Sequence, residues 1–136
     1  MLDTNVVVSA MRSPKGASAA LLIAARRGKI TLLANVALAL EYEATCMLAE
    51  HRLAAGLDLE QVGVFIDAVI AMCEPIESHF LWRPQLRDPA DELVLEAAVN
   101  GRAAAIVTFN LRDFSSVPAA FGLELLQPAD VMRRLK

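Results

Sequence analysis

The sequence predicts an α/β fold, a three-layer sandwich with a central parallel sheet between two layers of helices, formed by residues 1–136 as one domain. Three observations predict it. Short continuous apolar runs at Thr31–Ala34, Ala105–Thr108 and Leu123–Leu126 read as strands. A strand exposed on one face would alternate apolar and polar residues, whereas a continuous run marks burial on both faces. Between these runs lie longer stretches of helical periodicity: Ala17–Arg27, Val36–Leu53, Leu59–Met72, Pro89–Asn100 and Ala129–Leu135. Strands alternating with helices make a parallel sheet covered on both sides. Glycine and proline, finally, mark the joints, at Pro14, Gly16, Gly28, Gly56, Pro75, Pro84, Pro89, Gly101, Pro118, Gly122 and Pro128.

The local chemistry of the helix starts supports this order. Asn35 and Asp58 stand where side-chain caps for the second and third predicted helices belong, and Asp88 precedes Pro89, a residue suited to a first helical turn. The first ten residues, MLDTNVVVSA, admit two readings. Val6–Val8 is the best strand core taken by itself, which places Asp3 ahead of the strand. Alternatively Met1 and Leu2 are the end of a truncated first strand, and Asp3 stands at its carboxyl end. Periodicity leaves both open.

Composition excludes several classes of function. Of 136 residues, 56% are hydrophobic and 21% charged, enough to bury roughly two-thirds of the unfolded surface and too apolar for a disordered chain. The longest nearly apolar stretch, Ile30–Leu40, is broken by Thr31 and Asn35 and is too short to cross a bilayer. No charged-then-apolar leader precedes it, so a cytosolic location is expected. Cys46 and Cys73 lie in apolar helical segments and read as buried small hydrophobes, and the isolated His51 and His79 form no zinc-binding pattern. Sixteen acids against thirteen bases, a net charge of −3, argue against a protein that grips nucleic acid through a basic face. An enzyme that touches nucleic acid briefly remains compatible. Five Phe, one Tyr and one Trp offer few stacking platforms.

The acids are the informative residues. In open α/β sheets ligands bind beyond the carboxyl ends of the strands, where the following helices begin. Asp3 falls there if the first strand ends early, as do Glu41, Asp88, Asp91 and Asp113, with Asn110 beside the last. Ionised carboxylates about 4 Å apart repel by on the order of 4 kcal/mol at an intermediate dielectric. A fold tolerates that when a cation sits among them, and an oxygen-only donor set suits Mg²⁺ or Mn²⁺.

Four segments together carry a resemblance: Leu2-Asp3-Thr4-Asn5-Val6, Glu41 early in its helix, Asp88-Pro89-Ala90-Asp91-Glu92-Leu93, and Val107-Thr108-Phe109-Asn110-Leu111-Arg112-Asp113-Phe114. In this order the sequence resembles the PIN-domain ribonucleases, most closely the VapC-like toxins. The resemblance implies a parallel sheet between helices, metal-dependent cleavage of single-stranded RNA, and a small antitoxin protein as partner. Carried over by position, Asp3, Glu41 and Asp91 are the acids around Mg²⁺ or Mn²⁺. Asn110 falls near the fourth acidic place, and Asp113 supplies an acid one helical turn later. Asp113 is taken as the fourth acid, while Thr4, Asn5, Thr108 and Asn110 orient carboxylates or phosphate.

Arg12, Lys15, Arg87 and Arg112 flank the same edge and are candidates for RNA phosphates. Met47, Leu48, Val62, Phe65, Ile66, Val69 and Ile70 form an apolar stripe that reads as core, with enough excess to fit a homodimer or an antitoxin groove. Two other functions compete. The opening is also similar to that of phosphatases with an aspartate nucleophile, but their chemistry needs a second acid two residues on, where Asn5 stands. A PIN-like module that binds RNA or protein without cutting draws support from Asn110.

Overall fold

A computed structural model describes residues 1–77 and 85–136. His79 and the joint at Pro84 fall outside the described residues. The fold is mixed α/β. In chain order it comprises α1 (Thr4–Arg12), α2 (Ala17–Arg26), β1 (Leu32–Ala34), α3 (Val36–Met47), α4 (Ala49–Ala55), α5 (Leu59–Met72) and β2 (Cys73–Pro75). After residues 78–84 come α6 (Pro89–Asn100), β3 (Ala105–Val107), α7 (Leu111–Phe114), α8 (Val117–Ala120), β4 (Glu124–Leu126) and α9 (Pro128–Arg134).

All strand pairing is parallel. Among the described residues the strands form two two-stranded sheets, β1 with β2 and β3 with β4, in place of the one continuous sheet expected. Leu32 pairs with Cys73, and Ala105 with Glu124. Extended residues Met1–Asp3 add to β3 through an isolated parallel bridge between Leu2 and Val107. The Val107 amide donates to the Met1 carbonyl, the Asp3 amide donates to the Val107 carbonyl (both 2.9 Å), and the terminal ammonium reaches Ala105 O at 3.2 Å. Val6–Val8 is therefore not a strand. All three valines lie buried in α1, and the reading in which Asp3 ends a short strand is the correct one. Three β-branched residues in a row favour a strand by propensity. The burial of this helix against α2 and α3 overrides that preference.

The predicted caps form as expected. Asn35 Oδ1 accepts from Leu38 N at 2.8 Å, Asp58 and Gln61 exchange bonds in a capping box, and Asp88 Oδ1 accepts from Ala90 N at 2.8 Å. The predicted helix Val36–Leu53 breaks at Leu48, whose extended backbone (φ −59°, ψ 135°) ends α3 and starts α4. No glycine or proline marks this break; it turns α4 back against α1. β2, α7 and α8 are too short to carry a periodic signal. Tyr42, Phe114, Leu21, Leu38, Ile66, Leu95 and Ile106 are the largest fully buried side chains. Of the apolar stripe, Val62, Ile66 and Val69 are buried, Met47, Phe65 and Ile70 half-buried, and Leu48 exposed. Cys46 is buried and Cys73 half-buried; both are free thiols, and burial pushes Cys46 up to about 11. No helix among the described residues is long and apolar enough to cross a membrane.

Candidate functional site

Four elements deliver the acids. Asp3 ends the strand-like stub and starts α1, so its backbone is fixed by β3 on one side and a helix on the other. Glu41 lies in the second turn of α3, while Asp91 sits in the first turn of α6 and Asp113 in α7 just past β3. The carboxyl ends of the stub and of β3 and the amino ends of the helices meet on one edge, where the strand-edge argument places a site.

A hydroxyl and amide network holds Asp3. Its Oδ1 accepts from Thr4 N at 2.8 Å and its Oδ2 from the Thr108 hydroxyl at 2.6 Å. Having donated its only proton, Thr108 Oγ1 accepts from Asn110 N at 3.0 Å and from Asn5 Nδ2 at 3.3 Å. Asn5 Oδ1 in turn receives Phe109 N at 3.4 Å. The Thr4 hydroxyl donates to Glu41 Oε2 at 2.7 Å. Thr4, Asn5, Thr108 and the Asn110 backbone thus join the two segments that carry Asp3 and Asp113, and bind Glu41 to the same frame. The Asn110 side chain makes no bond among the described residues; its contribution here is its amide.

Asp91 is different. It is only 6% exposed, yet its carboxylate has no hydrogen bond or ion pair among the described residues. Burial, and then the charges of Asp3, Asp88, Asp113 and Glu41, push its carboxyl up to about 6. Asp3 is raised as well: burial outweighs the lowering pull of Thr108 and Thr4, with Glu41 and Asp113 adding to the rise. The charges of Glu41 and Asp113 thus act on both Asp3 and Asp91, and Asp91 also feels Asp88, whose side chain caps α6.

The donor chemistry is that of a hard divalent cation: carboxylates and hydroxyls, no imidazole or thiolate, and one carboxylate without a hydrogen-bond or ion-pair partner among the described residues. Among the described residues no group of three or more His, Cys, Asp or Glu side chains is gathered closely enough to hold a metal ion. The acids frame an open edge, with Asp113 exposed on it.

The flanking cations divide. Arg87 and Arg112 line one cavity of about 490 Å³ together with Asp88, Asp91 and Asp113. Arg12, at the far end of α1, meets His51 Nδ1 at 3.1 Å, and Lys15 lies beyond it in the turn before α2. Nine helical residues carry the chain on the order of 13 Å, so α1 leads these two away from Asp3. A cavity of about 590 Å³ opens between β1 and β3, and none of the four acids lines it.

One contributor escaped the sequence reading. Tyr42, next to Glu41 and fully buried, donates its hydroxyl to the Leu2 carbonyl and so anchors the residue before Asp3. Its being the chain's sole tyrosine, one position from a candidate acid, was the available signal.

A family profile for the PIN domain matches residues 1–112, and the chain belongs to the PIN-domain family. PIN domains are usually nucleases, generally with divalent metals. The match includes Asp3, Glu41, Asp91 and Asn110 and stops one residue short of Asp113. No curated protein and no solved structure gives a significant match.

Proposed function

We propose that this chain is a Mg²⁺- or Mn²⁺-dependent endoribonuclease that hydrolyses single-stranded RNA. The observation that carries this reading is Asp91, a carboxylate without a hydrogen-bond or ion-pair partner among the described residues, gathered with three other acids and the cap Asp88. Like charges gathered without a counter-charge repel, and a bound cation removes that repulsion. Asp3 and Asp91 would hold the ion, completed by Glu41 and Asp113. Such an ion, when bound, supplies Lewis-acid activation of water and neutralises charge developing on the phosphate. The chain's own residues do the rest. Thr108 and Thr4 hold Asp3 and Glu41 as oriented acceptors, and hydrogen bonds of this kind commonly sustain metal affinity and activity. Hydrolysis joins the water oxygen to phosphorus and releases the 3′ oxygen of the preceding nucleotide.

The biological setting we infer is that of a VapC-like toxin, cytosolic and homodimeric, held inactive by a small antitoxin protein. Apolar side chains exposed at Leu48, Leu53, Leu59 and Val64, on and beside α4 and α5, support a protein partner. For the fold we infer that Met1–Asp3 and both short sheets are parts of one central parallel sheet in a three-layer sandwich, formed by residues 1–136 as a single domain. A second reading, a module that binds RNA or protein without cutting, gains from the absence of a closed acid cluster among the described residues.

Thermal unfolding with and without millimolar Mg²⁺ or Mn²⁺, on wild type and Asp3→Asn, separates the two. A ligand at a hundred times its Kd stabilises by about 2.7 kcal/mol, several degrees for a chain of this size. The nuclease reading expects that rise in wild type only, with chelator-sensitive cleavage of single-stranded RNA. No response in either protein, and no cleavage, favours the binding module.

A further inference from the structure

We propose that the cavity shared by Arg87 and Arg112 is a phosphate subsite, in which the two guanidiniums hold the RNA backbone next to the bond that is cut. The proposal rests on the reading of the acids as an RNA-cleaving centre and adds how a polyanion reaches it. The cavity, about 490 Å³, has Asp91 and Asp113 in its wall, so a strand lying in it lies against the candidate acids. Arg87 stands immediately before the cap of α6, and Arg112 in α7. Two separate segments thus bring one cation each to the same opening.

Both side chains are exposed and, among the described residues, uncommitted: neither forms an ion pair or a hydrogen bond, although Asp88 and Asp113 adjoin them in sequence. Three other arginines are engaged, Arg134 with Glu124, Arg133 with Asp130 and Arg12 with His51, while Arg52 Nε also stands without a partner among the described residues, away from the acids. A free guanidinium presents a planar fork that matches two phosphate oxygens. Electrostatics makes such a pair necessary. Five acids at the site and a net charge of −3 repel RNA, and no broad basic face compensates. Contacts to phosphate position a strand and carry no sequence information, so this subsite sets register without choosing bases.

The test is binding of a fluorescein-labelled, mixed-sequence single-stranded RNA to the full chain, followed by anisotropy in calcium over a range of salt. For single strands, log K falls with log salt by about 0.7 per phosphate neutralised. Arg87→Ala and Arg112→Ala should each weaken binding about threefold to tenfold and flatten that slope by about 0.7. The double variant should flatten it by about twice as much, with the thermal midpoint unmoved. Arg26→Ala, on the exposed last turn of α2, should change neither. Unchanged affinity and slope in the double variant overturn the subsite. Failure of the cleavage reading looks different: wild type then binds RNA with an arginine-dependent slope but releases no product in Mn²⁺. A wild type that binds no RNA overturns both.

Discussion

Asp91 is a residue whose removal should help the fold and end the activity. Its carboxyl titrates near 6 in the folded chain, against an ordinary value near 3.8. Between those values the native state holds a proton that the unfolded chain has released. This contribution is therefore greatest below about pH 4 and is lost as pH rises through 6. Asp91→Asn should raise the thermal midpoint of the metal-free protein by a few degrees at pH 8, on the order of 1 kcal/mol, and leave it unchanged at pH 4. The same variant should lose metal-dependent cleavage. A lower midpoint at pH 8 would mean that the carboxylate is already satisfied. Individually, these acids look like ordinary helix-start residues: Asp91 in a first turn and Asp88 at a cap are what the helix dipole selects anyway. Only their joint order along the chain, with Thr108 and Asn110, made the site legible.

At the scale of elements, legibility followed length and capping. α5 and α6 have the bounds their periodicity and caps predict, because Asp58 and Asp88 leave little freedom about where each helix begins. Asp58→Ala removes the capping box 33 residues before Asp91 in sequence and should cost about 1 kcal/mol of stability in urea unfolding, with cleavage unaffected. α1 was not legible from its own residues: three valines argue for a strand, and the helix exists because tertiary packing buries them. The turn at Leu48 was invisible for the opposite reason, since nothing local forbids the helix from continuing. Strands of three residues, such as β2, are likewise specified by their neighbours more than by their own sequence.

Across the whole molecule, the stub that carries Asp3 is held from two sides. The stub Met1–Asp3 bonds to β3, and Tyr42 on α3 holds the same stub from the other side through the Leu2 carbonyl. Tyr42→Phe keeps the ring and leaves that buried carbonyl without its donor, a cost of about 1–3 kcal/mol. A matching fall in the urea midpoint is expected. Cleavage should weaken with it, because Asp3 follows directly on the freed residue; an unmoved midpoint would show that α3 does not anchor the stub.

The burial of Met1 has a practical side for anyone attaching something to this protein. Only 6% exposed, Met1 opens onto the groove of about 590 Å³ between Leu32 and Ala105, and burial lowers its ammonium to about 6. A residue joined ahead of Met1 would continue the stub alongside β3, because the Met1 nitrogen already donates to the Ala105 carbonyl at 3.2 Å. Lys136 is exposed. A purification handle or a surface tether belongs there, at the opposite terminus, where it begins in solvent and leaves the edge that carries Asp3 undisturbed.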